Sequence, residues 1–142
     1  MQRVSRASVT VDNSITGKIS DGLMLLIGIH PDDTDETIQW MGSKILRLRV
    51  FEDDERKMNL SVNDVNGGIL VVSQFTLYAD TRKRTRPGFS EAAGPEFAEM
   101  MYEKFVEWLR QHSELKIETG IFGAMMDVDL VNKGPVTIIL DK

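Results

Sequence analysis

The chain has 142 residues and a mass of 16.0 kDa, and 42% of it is apolar, which is enough for one buried core and too little for two. A charged fraction of 27% and a formal net charge of -5 are ordinary for a folded chain, and the absence of cysteine removes disulfides, thiolate metal sites and cysteine nucleophiles and fits a reducing compartment. With a pI near 5.0 the protein is not a general nucleic-acid coat, so any RNA contact has to be local.

No repeat, low-complexity segment or Pro/Gly/Ser-rich linker interrupts the sequence, so one domain is expected. Val9 and Val11 alternate with polar neighbours, Asp12-Asn13-Ser14 supplies turn chemistry, and Ile15, Gly17 and Ile19 resume the period of two; together they predict an opening hairpin. Val4 is out of phase with Val9, which leaves room for a bulge between them. Leu23 to Ile29, closed by His30-Pro31, predicts a strand buried on both faces. Its purely apolar part, Leu23 to Ile27, is far below the ~20 residues of a bilayer span, and the amino terminus opens polar and basic, so neither a membrane span nor a signal peptide is expected.

The period then lengthens. Asp33 and Glu36 have capping-box spacing, and Ile38, Met41, Ile45 and Leu48 follow at helical intervals, predicting a helix over about 34–47 that Gly42 weakens. Val50-Phe51 and Met58-Asn59-Leu60 flank the charged segment Asp53 to Lys57, which has the character of a solvated hairpin tip, and Asn66-Gly67-Gly68 is a strong turn. Ile69 to Phe75 predicts a central strand, with Ser73-Gln74 inserted where a structural strand would carry another hydrophobe. Gly94-Pro95-Glu96 opens a second helix, whose apolar stripe Phe97, Met101, Phe105 and Leu109 faces the core. Two further strands are predicted, Met126 to Val131 and Val136 to Leu140, separated by Asn132-Lys133-Gly134-Pro135.

The common catalytic signatures are missing: there is no G-x-S-x-G, no H-E-x-x-H and no dinucleotide-binding glycine fingerprint. Thr16-Gly17-Lys18 lacks both the upstream glycine and the following Ser or Thr of a phosphate loop. His30 at a strand-to-proline junction and His112 at a helix end suit structural or solvated roles. Asp53, Asp54 and Glu55 sit on adjacent loop positions that point different ways, which suits solvation better than metal binding. Arg82, Lys83, Arg84 and Arg86 place four cations in five positions before Pro87-Gly88. Such a run is ordinarily a solvated loop, and it is also the one place where this acidic chain could meet a polyanion.

Ser73-Gln74-Phe75-Thr76-Leu77 followed by Ala79-Asp80, then Arg86-Pro87 before Phe89-Ser90, then Asn132 to Thr137, with Gln2-Arg3-Val4 and Ala7-Ser8-Val9 at the start, cover essentially the whole chain. In this order and spacing they resemble the D-aminoacyl-tRNA deacylases. The resemblance implies a cytoplasmic hydrolase without cofactor or metal that cuts the ester between a D-amino acid and the terminal adenosine of tRNA. It also implies removal of glycine mischarged onto tRNA. The implied architecture is a single α+β domain with a largely antiparallel, barrel-like β core and two main helices, paired as a homodimer with active sites at the interface.

By the same resemblance Gly134-Pro135 would be a Gly-cisPro pair inserted into the partner subunit's site. Gly134 has no Cβ and Pro135 no N–H, so carbonyl acceptors are the main polar groups there and would hold a substrate ammonium. An L side chain would then meet rigid backbone while a D side chain points outward, and glycine would pass. Ser73, Gln74, Phe75 and Thr76 would line the pocket for the terminal adenosine and its ester, Met126 would lie beside the adenine, and Arg3 would prop the Gly-Pro loop. For Phe75 and Met126, the residues alone leave simple core packing open.

Thr76 matches the family threonine proposed as nucleophile, yet its hydroxyl needs a base, and neither histidine lies in a matched segment. Backbone N–H groups near Phe75 and Thr76, aided by the substrate's 2′-hydroxyl, form a side-chain-poor alternative. Two departures stand out. The chain has fewer residues ahead of Gln2 than is usual, which predicts a short first strand, and Lys133 stands where many relatives carry an acid. Two readings compete with the hydrolase: an RNA-binding module using Arg82 to Arg86, and a structural oligomer packed through the Gly-Pro turn. Residue pattern alone does not establish a dimer, because the apolar stripes are all needed for one core and no surplus hydrophobic face stands out.

Overall fold

The opening hairpin joins β1 (Gln2–Val11) to β2 (Ser14–Ile19) in a computed structural model that describes residues 1–83 and 85–142. Arg84, one of the four clustered cations, lies outside the described residues. Asp12 at φ 47° and Asn13 at φ 63° supply the paired left-handed residues of a tight two-residue turn, which Asp and Asn tolerate. β1 is ten residues long, so the short first strand expected from the chain's opening is not found. Register slips opposite Val4 and Arg6 allow both Val4 and Val9, out of phase in sequence, to be fully buried.

Beyond the hairpin run β3 (Gly22–Ile27), α1 (Asp35–Arg47), the small pair β4 (Phe51–Glu52) and β5 (Met58–Leu60), β6 (Gly68–Ser73), a 3-10 turn (Phe75–Tyr78), α2 (Pro95–Gln111), β7 (Ile117–Thr119) and β8 (Asp127–Thr137). The main sheet has the order β2-β1-β3-β6-β7, with β8 also on β1. β1 is antiparallel to β2, β3 and β8, but β3 pairs parallel with β6 and β6 parallel with β7. The sheet is therefore mixed where a largely antiparallel one was expected. The physical reason is connection length: the segments carrying α1 and α2 are long enough to cross back over the sheet, as parallel pairing demands. β7 was not predicted, being too short to show a period. It curls toward β2, where the Thr119 carbonyl takes the space a Gly17 side chain would need and Lys116 Nζ donates to the Lys18 carbonyl (2.8 Å), nearly closing a barrel.

Two clusters divide the core along the alternation of the strands. Leu70 and Val72 of β6 face inward with Val4, Ala7, Val9, Ile19 and Met24. Ile69 and Val71 face outward, with Leu23 and Leu25, onto Ile38 and Ile45 of α1 and Met101, Phe105 and Leu109 of α2. Strands buried on both faces are what the continuous apolar runs in β3 and β6 encode.

α1 is capped one residue later than the sequence suggested. Thr34 and Thr37 exchange side-chain-to-backbone hydrogen bonds (3.4 and 3.3 Å), while Asp33 Oδ2 accepts from the His30 N–H (2.8 Å) and closes the preceding turn. Gly42 does lower helix propensity, by about 1 kcal/mol. A Cβ there would collide with the Trp108 indole, so the glycine is what lets α1 and α2 approach. The Tyr102 hydroxyl donates to the Val71 carbonyl (2.8 Å) and ties α2 to β6, and burial pushes this phenol up to about 12. At the predicted hairpin tip Asp53 accepts from the Glu55 and Lys57 N–H groups and from Asn59 Nδ2, bonds that hold its carboxyl below the usual range. Among the described residues no helix is long and apolar enough to cross a membrane.

Candidate active site

The two strands expected near the carboxyl end are one, β8, and the segment expected to separate them is a bulge within it. Pairing with β1 proceeds in step from Thr10↔Asp127 to Arg6↔Val131, then continues at Val4↔Asn132 and Gln2↔Thr137. Two residue steps on β1 thus face five on β8, and residues 133–136 leave the ladder as a loop. Asn132 closes that loop, its Oδ1 accepting from the Val136 N–H and its Nδ2 donating to Thr137 Oγ1, both at 2.9 Å.

Opposite the gap lies Arg3. It is only 5% exposed, and its Nε donates to the Lys133 carbonyl (3.0 Å) while Nη1 donates to the Val50 carbonyl (2.8 Å). Its Nη2 lies 3.5 Å from Glu52 Oε1. The planar guanidinium therefore joins the bulge to the start of β4, with separate N–H groups in fixed geometry serving the two carbonyls. Gly134 takes φ 128° and precedes a cis Pro135. A Cβ at Gly134 would stand 2.7 Å from Arg3 Nη2 and 2.9 Å from Val136 Cγ2, so both the backbone conformation and the space demand glycine. The Lys133 ammonium is held by Asp21 Oδ1 (2.8 Å), an exposed pair within the chain.

The second group lies at the carboxyl end of β6. The strand stops at Ser73, the Gln74 N–H makes a last bond to the Ile27 carbonyl of β3 (2.7 Å), and the 3-10 turn follows. Ser73-Gln74 is thus the exit of a buried strand, half-buried, and not the polar interruption of one; the apolar residues after it had suggested continuation, but Phe75 and Leu77 are exposed. Phe75 is 56% exposed and meets Phe89 edge-on, with ring centroids 5.0 Å apart. Core packing therefore does not explain Phe75. Met126, half-buried, does pack on the inner barrel cluster and fills the space beside Gly120.

The Thr76 hydroxyl accepts from Gln74 Nε2, an amide that cannot take a proton. No carboxylate, imidazole or amine hydrogen-bonds it among the described residues. His30 Nδ1 accepts from the Asp32 N–H and its ring packs on Tyr78, whereas His112 stacks on Trp108. The N–H groups of Phe75 and Thr76, at the start of the 3-10 turn, have no hydrogen-bond acceptor among the described residues. The sequence-derived residues therefore fall into two groups, Arg3 with Gly134-Pro135 and Ser73 to Thr76, beside which Phe89 packs, while Met126 joins neither and packs on the inner barrel cluster. No hydrogen bond joins the groups within one chain among the described residues. A cavity of about 420 Å³ lies between β3, α1, α2 and the carboxyl-terminal segment, and it borders the second group only through Leu77 and Tyr78. Its lining is mostly apolar, with Asp33, Asp141 and Lys142 at it, and holds neither the Arg3-braced bulge nor Ser73 to Thr76.

Comparison with known proteins agrees in extent. The family described as D-Tyr-tRNA(Tyr) deacylase matches residues 1–141. The D-aminoacyl-tRNA deacylase of Exiguobacterium sp. is 57% identical over 142 residues, covering 100% of this chain and 96% of that protein, and the one from Thermotoga petrophila is 54% identical over 141 residues, covering 99% and 94%. Among solved structures, the c-Myc DNA unwinding element binding protein superposes with a TM-score of 0.94 at 45% identity, covering 99% of this chain and 95% of that one. A probable eukaryotic D-amino acid tRNA deacylase, 18% identical with a TM-score of 0.78 over 93% of this chain and 91% of its own, shares the fold. Family match, identity and fold all extend over both the β8 bulge and the β6 exit, and this chain belongs to the D-Tyr-tRNA(Tyr) deacylase family.

Proposed function

We propose that residues 1–142 form one deacylase domain that hydrolyses the ester of D-aminoacyl-tRNA, and of glycine mischarged onto tRNA, as a proofreading step of translation in the cytoplasm. The observation that carries this reading is the Arg3-braced bulge at Gly134-Pro135, a rigid turn whose main polar groups are carbonyl oxygens. Carbonyls hold an ammonium, and rigid backbone at the α-carbon rejects an L side chain by volume whatever its chemistry. A D side chain turns away, and glycine has nothing to reject.

The bulge and the Ser73 to Thr76 segment make no bond with each other in one chain, so the reading places the bulge of one protomer in the site of its partner. The exposed apolar side chains support pairing: Phe75, Leu77 and Phe89 around the β6 exit, Ile121 and Met125 ahead of β8, and Val131 on it. Met125 is 92% exposed. Residue pattern alone shows no surplus apolar face, because these residues do not recur at any one period. In the paired site, Ser73, Gln74 and Phe75 hold the terminal adenosine, with Met126 beside its base. The free N–H groups of Phe75 and Thr76 stabilise the oxyanion, and the substrate's 2′-hydroxyl helps to activate water.

The test is release of amino acid from D-tyrosyl-, L-tyrosyl- and glycyl-tRNA side by side, with sedimentation to count subunits. D-tyrosine and glycine are expected to be released and L-tyrosine retained, by a dimer. Equal release of both tyrosine enantiomers would remove the carbonyl trap from consideration. Replacing Thr76 by alanine is expected to lower single-turnover release by less than about 10-fold, since its hydroxyl has no base and only the backbone N–H is required. A loss of several thousandfold would restore the hydroxyl as nucleophile.

A further inference from the structure

The loop between the 3-10 turn and Phe89 is built, and its construction is not needed by the ester chemistry. Asp80 and Gly88 form an isolated antiparallel bridge, N–H to carbonyl in both directions at 2.8 and 3.0 Å, which ties together the two ends of the loop. The Asp80 carboxylate accepts from the Arg82 N–H (3.0 Å) and, as a fork, from Arg82 Nε (2.9 Å) and Nη2 (3.1 Å). These bonds hold the carboxyl low, at about 2, so the pair stays ionised.

The consequence is a division of labour among the cations. Arg82 is spent on shaping the loop, with Glu91 as a further anionic neighbour. Lys83 and Arg86 are exposed and have no carboxylate partner among the described residues. The two segments that meet at this bridge border the candidate site itself: one follows Phe75 and Thr76, the other leads into Phe89, and the Phe75 and Phe89 rings touch. On another part of the surface, α2 exposes Glu96, Glu99, Glu103 and Glu107, a face that repels polyanions.

We infer that Lys83 and Arg86 bind backbone phosphates of the single-stranded 3′ end of the substrate RNA, just upstream of the terminal adenosine, and so position the ester without touching it. This rests on the deacylase reading of the β6 exit. The charge pattern then sets an approach direction, with the RNA entering over the loop and the acidic face of α2 turned away.

The experiment compares wild type with a Lys83→Ala, Arg86→Ala double variant on two substrates, D-tyrosyl-tRNA and the D-tyrosyl ester of adenosine, which has the same reacting group and no phosphate. On D-tyrosyl-tRNA at low salt the variant is expected to raise KM by on the order of 10-fold with kcat maintained. The slope of log KM against log salt should fall by about 1.4, about 0.7 for each single-strand phosphate that the variant no longer neutralises. The loss should be confined to the substrate that carries phosphates. Equal losses on both substrates would make the loop a structural support of the site and overturn the inference, as would an unchanged KM and salt slope on tRNA. If wild type cuts neither substrate, the deacylase reading fails first; if it cuts both and the variant is unaffected, only the phosphate assignment fails.

Discussion

Replacing Gly134 by alanine should reduce release of D-tyrosine from D-tyrosyl-tRNA by on the order of 100-fold, the effect of displacing a positioning group by about 1 Å. The added methyl would stand 2.7 Å from Arg3 Nη2 and 2.9 Å from Val136 Cγ2. Neither neighbour yields freely, because the Arg3 fork is bonded to two carbonyls and Val136 is anchored through its N–H to Asn132. Alanine also has to adopt φ near 128°, a strain of about 1–3 kcal/mol. The carbonyls proposed to face the substrate then move, while barrel and helices, which make no use of the bulge, should keep their circular dichroism. Lys133→Ala, one residue away, removes only an exposed ion pair with Asp21 and should leave rate and melting temperature near wild type. Single-turnover release from both tyrosine enantiomers is the measurement. An alanine variant that still cuts the D ester at full rate and still spares the L ester would mean that the bulge does not read chirality.

Arg3→Ala should be the most destabilising of these changes, at about 3 kcal/mol, or roughly 10 °C in melting temperature. Arg3 is 5% exposed, and its removal strands the Lys133 and Val50 carbonyls that it serves. Hydrogen bonds from a charged donor are worth about 1.5–3 kcal/mol each, and a buried acceptor left without one incurs its desolvation cost. Glu52→Gln should cost little by comparison, since Glu52 is half exposed and lies 3.5 Å from the guanidinium. Arg3→Lys separates charge from shape: it keeps the cation but cannot address two carbonyls as a fork, so both stability and release should be only partly restored. The activity assay is run well below the variant's melting temperature. A folded Arg3→Ala protein with wild-type rate and selectivity would reduce Arg3 to a clamp for stability alone.

Much of the frame was legible before any coordinates. The hairpin of β1 and β2 is written in alternation and in Asp12-Asn13, the doubly buried β3 and β6 in unbroken apolar runs, and α2 in a stripe recurring every four residues from Phe97 to Leu109. Those signals are local: they state how often a side chain meets the core, and one element's length suffices to express them. Arg3, Ser73 to Thr76 and Gly134-Pro135 were singled out as candidates by motif, although their arrangement was not legible there.

What pairs with what was decided by tertiary structure. The parallel β3–β6 pairing, the strand β7, the end of β6 at Ser73 and the unbroken course of β8 all depend on residues far apart in sequence. Gly42 looked like a weak point in a helix and proved to be the place where Trp108 comes close. Asn132 to Pro135 looked like a linker between strands and proved to be a bulge, because only the register against β1 reveals three surplus residues there. By itself the sequence determined the residue types, the carbonyl-rich turn and the family motifs, since these are properties of the chain taken a few residues at a time. The tertiary structure decided that Arg3 would brace that turn across 130 positions and that Phe75 would stand exposed beside Phe89, because register and long-range packing arise only when the distant segments meet.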